Sequence, residues 1–332
     1  MLNLGIVGCG RVTTMFHLKA IKEVENLSIV AVVDPHAPSM EGVKNACSAN
    51  VGYSEFSELL SDPQVEAVVI NTPPQLHEEM VIRALQAGKH VLCEKPLAES
   101  VEGAMRIRDA AEGSRKVVLT VHNYAFTPSL EMAREIIEGG SLGKANRVCV
   151  RFENNLRGYR AKTDFRLKDE FGIVEDVLPH VLSTTQALSG TATTIVSAQG
   201  WKKSYGVVDN LSLMLRTDED VELDCLLSWT KLIPSFKVTA ACDSGAVETD
   251  LIRSPFGITI EKEGKRSRID QKRGLGIYLD ILRFKHPSFQ SQYRHFYKVV
   301  EGLEKPKLTI DEEIAMIGMM GKVVEYLSRS KL

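Results

Sequence analysis

No C-x-x-C pair and no His/Cys cluster with zinc-finger spacing occurs in this sequence. Its six cysteines, at positions 9, 47, 93, 149, 225 and 242, lie far apart. That pattern excludes a disulfide-dense scaffold and points to reduced thiols serving as small apolar fillers in a cytoplasmic protein. Charge of either sign is not in excess: 41 Lys plus Arg face 43 Asp plus Glu, a formal balance of −2. Nothing global therefore recommends nucleic acid or an anionic membrane surface as a partner. Long apolar runs are missing too. The run Ile314 to Gly321 stops at Lys322, far short of the ~20 residues a membrane span needs. The first residues lead straight into an apolar strand, without the basic start and cleavage site of a signal peptide, so no export is expected.

What is present reads as two soluble domains. The 332 residues are 44% hydrophobic and 25% charged, an ordinary globular balance. From 1 to about 124 apolar strand-like runs alternate with helical patterns: Leu2 to Val7, Ile29 to Val33, Val65 to Ile70, Lys89 to Cys93 and Val117 to Val121, separated by helices such as Arg11 to Val24, His77 to Ala87 and Val101 to Glu112. Strands apolar throughout and spaced by helices predict a doubly wound parallel sheet covered on both faces, an α/β Rossmann-type domain. From 125 to 332 the texture changes. A helix at Leu130 to Glu138 is followed by segments that alternate apolar and polar residues, as in Val221-Glu222-Leu223-Asp224-Cys225. These predict an α+β domain with a large, mostly antiparallel open sheet, one face of it wet. Helices at about Ile173 to Leu188, His286 to Gly302 and Ile310 to Leu327 complete it, the last a candidate to pack back on the first domain.

The first strand runs into Gly8-Cys9-Gly10-Arg11-Val12-Thr13. In a dinucleotide fingerprint the first glycine makes the tight turn, the second admits a pyrophosphate close to the backbone, and the third lets helix and strand pack closely. The helix N-terminus then offers N–H groups and a positive dipole end to the phosphates. Thr13 occupies the third glycine position. Asp34 ends the second strand, where a carboxylate accepts from both ribose hydroxyls and repels a 2′-phosphate, favouring NAD over NADP. Two further features stand out. Lys95 lies just past the fourth run, on the side of a parallel sheet where ligands bind. Asp176 and His180 are four apart in a helical pattern, so both fall on one face, and a carboxylate beside an imidazole can orient it and raise its basicity.

The run Gly88-Lys89-His90-Val91-Leu92-Cys93-Glu94-Lys95-Pro96-Leu97-Ala98 resembles the signature of the Gfo/Idh/MocA oxidoreductases, which include glucose–fructose oxidoreductase and inositol dehydrogenase. Further matches follow in order: Gly5 to Arg11 with His17, Asn71 to Pro74 with His77, Asn123-Tyr124 with Phe126 and Pro128, Gly143-Lys144, Gly172 with Asp176 and His180, and Thr309 through Ser328. The resemblance implies an NAD(P)-dependent dehydrogenase or reductase for a sugar, sugar derivative or cyclitol. Lys95, Asp176 and His180 would be catalytic, with Lys95 on the substrate C–O group and His180 as general acid/base. Cofactor contacts would come from Gly8, Gly10, Arg11, Val12, Asp34, Asn71, Thr72, Pro73, His77, Glu94, Lys95 and Asn123, and substrate contacts from Lys95, Tyr124, Arg166, Asp176 and His180. No metal is implied. A homodimer or homotetramer through the second sheet is. Two other readings share the scaffold: a glycosidase that oxidises transiently with NAD, and a non-catalytic cofactor-binding regulator. The chain departs from common family residues at Ala125, Leu178 and Ser183, which reshapes the pocket. Arg157, Tyr159, Arg160 and Arg166 fall in an irregular stretch that could touch substrate, although solvated loop charges are the commoner outcome for such a stretch. Trp201 and Trp229 read as sheet core. His17, His36, His90, His122, His286 and His295 have no partner motif.

Overall fold

In a computed structural model, residues 1–156, 165–167, 169–272 and 274–329 are described. Arg157, Tyr159 and Arg160 lie outside them. Among the described residues the strands form two sheets. The first has six: β1 (Leu2–Val7), β2 (Leu27–Val33), β3 (Val51–Tyr53), β4 (Ala67–Ile70), β5 (His90–Cys93) and β6 (Val118–Thr120). All pair parallel, in the order β3-β2-β1-β4-β5-β6. The chain order reverses between β1 and β4, the switch point beside which doubly wound sheets bind ligands. Ala67, Val68, Val69 and Ile70 are all fully buried, as strands covered on both faces must be.

The second sheet has eight: β7 (Ala145–Asn155), β8 (Ala192–Trp201), β9 (Asn210–Thr217), β10 (Glu222–Ser228), β11 (Thr230–Cys242), β12 (Gly245–Asp250), β13 (Gly257–Lys262) and β14 (Lys265–Asp270). Its order is β14-β13-β12-β11-β7-β10-β9-β8. Every neighbouring pair is antiparallel except β10 with β7. The alternation seen in the sequence is real: Leu223, Cys225 and Leu227 are buried, while Glu222, Asp224 and Leu226 are only half-buried. One face packs on the helix Gly172–Ser189 through Ile173, Val174, Val177, Leu178 and Val181. The other carries polar groups such as Arg151, whose guanidinium donates to Asp224 Oδ1 at 3.1 Å.

The molecule divides into two compact units. The first is Met1–His122 together with Asp280–Ile314, and the second is Asn123–Leu279 with the chain from Ala315 on. Segment 280–314 thus joins the dinucleotide-type unit although it follows the second sheet in sequence. The reason is packing: Phe289, Tyr293, Phe296 and Val299 of the helix Pro287–Val300 belong to the same buried cluster as Leu4, Ile6, Val32 and Leu92. Each large apolar side chain so removed from water contributes about 1.5–3 kcal/mol. All six cysteines are free thiols. No helix among the described residues is long and apolar enough to cross a membrane. Trp229 is core, but Trp201 is 39% exposed at the end of β8, which corrects the reading of both as core. β8 stands at the sheet's edge and has a neighbour on one side only.

Candidate active site

The carboxyl edge of the first sheet gathers most of the motif residues. Gly8 follows β1 with φ +89°, a left-handed conformation, and a Cβ there would stand 2.9 Å from the Asn71 carbonyl oxygen. Both facts require glycine. A Cβ on Gly10 would meet nothing within 4 Å, so open space lies above the loop where a pyrophosphate approaches. Cys9 N–H donates to Asp34 Oδ2 at 2.7 Å, and His36 N–H donates to Asp34 Oδ1 at 2.8 Å. The carboxylate is thereby fixed at the tip of β2 and keeps lone pairs for hydroxyl donors. Burial, and then the Asp34 charge, push the Cys9 thiol up to about 12, so it stays protonated and is no nucleophile.

Thr13, where the fingerprint has a third glycine, is fully buried and is built into the loop. Its hydroxyl donates to the Gly8 carbonyl at 2.7 Å and accepts from Asn71 Nδ2 at 3.0 Å. The departure therefore ties the β1 loop to the residue that ends β4. The chain here winds as a π-helical turn, Thr13–His17, before the short helix Leu18–Ile21, where periodicity predicted one continuous helix.

Lys95 follows β5 on the same edge, and the Lys95–Pro96 bond is cis. Its two neighbours are anchored. Glu94 Oε1 lies 2.9 Å from His17 Nε2, and Glu94 Oε2 accepts the Lys95 N–H at 3.2 Å. His17 Nδ1 in turn meets Tyr293 Oη at 2.7 Å. Burial raises the Glu94 carboxyl, but the His17 hydrogen bond and the charges of His17, Lys95 and His77 bring it below the usual carboxylate value. His77 is fully buried. Its Nδ1 lies 2.7 Å from the Pro96 carbonyl oxygen and its Nε2 2.9 Å from that of Thr72.

The second unit holds the other set. Gly172 opens the helix Gly172–Ser189, and a Cβ on it would stand 2.2 Å from the Arg166 carbonyl oxygen. Its bare backbone admits segment 165–167 against the helix, and Arg166 Nε then donates to Asp176 Oδ2 at 2.8 Å. Pro179 lies inside this helix and removes one helical N–H just before His180. The His180 ring meets the edge of Tyr124, centroids 5.2 Å apart at 87°. Tyr124 packs in turn on the fully buried Phe236 at 5.1 Å. Leu178 is fully buried core, and Ser183 Oγ donates to the His180 carbonyl at 3.2 Å.

Sequence reading assigned no partner to His17 or His122. The fold supplies Glu94 and Tyr293 to the first, and Glu313, with Oε1 at 2.7 Å, to the second. These partners are 77 and 276 residues away for His17, so no local signal carries them. His90 accepts the Val117 N–H at 3.1 Å, and burial lowers it to about 4, which makes it a neutral structural side chain. His36 Nδ1 meets Ser39 Oγ, and His286 Nδ1 meets Ser288 Oγ. His295 Nδ1 meets Glu304 Oε2.

Residues 2–122 match the model described as the oxidoreductase family's NAD-binding Rossmann fold, and residues 130–248 match the GFO/IDH/MocA C-terminal domain. The chain belongs to the Gfo/Idh/MocA oxidoreductase family, and its first unit carries that family's NAD-binding fold. An uncharacterized oxidoreductase of Schizosaccharomyces pombe is 34% identical over 197 residues, 57% of this chain and 52% of the relative. The chain thus spans about half that relative's length. The myo-inositol 2-dehydrogenase of Thermotoga maritima is 28% identical over 339 residues, covering 100% of this chain and 96% of the relative. The fold is shared with an oxidoreductase from Agrobacterium radiobacter solved in complex with NAD+, L-tartaric acid and magnesium, at TM-score 0.86 and 16% identity over 99% of this chain and 97% of that one.

The residues present fit NAD: a glycine that only a bare backbone permits at Gly8, open space over Gly10, and a fixed carboxylate at Asp34. We propose that Asp34 accepts from the ribose hydroxyls and repels a 2′-phosphate, both of which Asp34→Ser would remove. Hydrogen bonds to charged groups are worth ~1.5–3 kcal/mol. NAD affinity is therefore expected to fall by about tenfold or more while NADP affinity holds or rises, read by titrating both nucleotides.

Proposed function

We propose that this chain is an NAD-dependent dehydrogenase or reductase acting on a carbinol or carbonyl carbon of a sugar, sugar derivative or cyclitol. The supporting observation is the set Gly8, Asp34, Asn71 and Lys95, carried together at the carboxyl ends of β1, β2, β4 and β5 in a chain that also has the Asp176/His180 pair. Gly10, Arg11, Val12, Thr72, Pro73, Glu94 and Asn123 are the further cofactor contacts proposed. Bound NAD supplies the hydride acceptor or donor, which leaves the chain's own residues with the oxygen and its proton. In oxidation the His180 imidazole takes the hydroxyl proton. The Lys95 ammonium donates to the same oxygen and favours the charge that develops there. In reduction the roles reverse. Asp176, held by Arg166, serves as substrate ligand and as partner of His180. Tyr124 sets the ring plane of His180 and contributes to the substrate pocket.

The substrate class leans on the cyclitol named for the full-length Thermotoga relative. Free thiols throughout support a reducing, cytoplasmic setting. The polar face of the second sheet is the proposed homodimer or homotetramer surface, and light scattering at working concentration is expected to return two or four times the chain mass, not the mass of one chain. The activity itself is tested by calorimetric titration with NAD and NADP, followed by a cyclitol, pyranose and anhydrosugar panel read as NADH absorbance. NAD binding with turnover of at least one panel member is expected. Binding of neither nucleotide overturns the reading. Sugar release from a nitrophenyl glycoside without net NADH assigns the glycosidase chemistry instead.

A further inference from the structure

His77 meets two backbone carbonyls, Pro96 O through Nδ1 at 2.7 Å and Thr72 O through Nε2 at 2.9 Å. A carbonyl oxygen only accepts, so each ring nitrogen must carry a proton to make its bond. A neutral imidazole has one N–H and would turn a lone pair toward one of the two oxygens. His17 differs: its Nδ1 faces the Tyr293 hydroxyl, which can donate, so a neutral ring satisfies it. The His77 side chain is fully buried, and a cation there needs a counter-charge. The Glu94 carboxylate supplies one and is itself pulled below its usual value in part by His77. Glu78, the next residue on the same helix, has its carboxylate held by Arg106 at 2.6 Å, and Lys95 precedes the Pro96 whose carbonyl the ring meets.

We infer that His77 is an imidazolium clamp, a positioning residue that fixes the Thr72 loop and the Lys95–Pro96 segment to each other. The two carbonyls belong to segments that leave β4 and β5 and are 24 residues apart in sequence. The first is among the proposed cofactor contacts, and the second carries the proposed oxygen-binding ammonium. One buried ring thus sets the spacing between cofactor loop and Lys95. Because both nitrogens are committed to the backbone, His77 contributes to cofactor binding by holding the loop and does not itself touch the nucleotide. The consequence for NAD rests on the function proposed above; the protonation state does not.

The test uses the full chain labelled with 15N-histidine, without nucleotide, at pH 7. The His77 ring signals are assigned by their disappearance in His77→Gln. Two N–H couplings, one on each nitrogen, are expected, whether or not the protein proves to be a dehydrogenase. A ring with one unprotonated nitrogen overturns the clamp. Calorimetry then compares NAD binding in the wild type, His77→Gln and His77→Phe. NAD affinity is expected to weaken by about tenfold in His77→Gln, which keeps donors for only one carbonyl, the scale of one lost charge-assisted hydrogen bond, and further in His77→Phe. Unchanged affinity in both variants overturns the positioning role, and loss of NAD binding by the wild type instead overturns the dehydrogenase reading.

Discussion

Replacing Lys95 by methionine lowers kcat by about 10²–10³-fold, the range seen when a single donor to a developing oxyanion is removed. NAD affinity stays within about threefold of wild type, because the cofactor loop at Gly8, Asp34 and Asn71 is untouched and a methionine fills a similar volume without the charge. This split is the signature of an interaction made in the transition state. The surroundings justify the size of the effect. Glu94 on one side is bound to His17, and the Pro96 carbonyl on the other meets His77, so the backbone that carries the ammonium is fixed at both neighbours. Stopped-flow and steady-state rates with NAD and the best panel substrate give kcat, and calorimetry gives NAD affinity. A kcat within a few fold of wild type would remove Lys95 from the chemistry.

His180→Asn is expected to cost about 10²–10⁴-fold in kcat, the usual worth of a positioned general acid/base. Asparagine keeps the bulk against Tyr124 but cannot take a proton. The rate then also loses the neutral-range pH dependence that an imidazole confers. With His180 as the base proposed above, the wild-type oxidation rate is expected to rise with pH and the reduction rate to fall. A variant equally slow at every pH, with NAD affinity intact, is the expected result, read from kcat profiles in both directions. Loss of thermal stability with an unchanged profile would instead assign His180 to packing beside Tyr124.

Local chemistry made much of this legible. The Gly8 turn, the β-branched runs and the proline-ended strands announce the parallel sheet because each strand is apolar on both faces, and a short pattern is enough to show it. The helix Ala37–Cys47 shows almost no apolar periodicity, because Val43 is its one buried residue. The start of β11 carries no alternating pattern, because Leu232 and Ile233 are both exposed at a register shift between Thr230 and Ser235. The return of Pro287–Val300 to the first unit rests on Phe289, Tyr293 and Phe296 finding Leu4 and Ile6, and no local pattern encodes that distance. In the site, Lys95, Asp176 and His180 could be named because motif spacing carries them. The Arg166–Asp176 pair, the Glu94–His17–Tyr293 chain and the two carbonyls at His77 could not, since each depends on segments brought together by the fold. Thr13 is the instructive departure: it looks like a loosened fingerprint in sequence, yet its hydroxyl joins Gly8 to Asn71.

Lys95 and His180 are proposed to serve one step, the handling of a single oxygen and its proton. Steady-state kcat for Lys95→Met, His180→Asn and the double variant, measured on the same panel substrate with saturating NAD, tests it most directly. Groups that act as a unit are far from additive, so the double variant is predicted to be about as slow as the slower single one. A double variant whose loss equals the product of the two single losses, as for independent sites, would contradict the account.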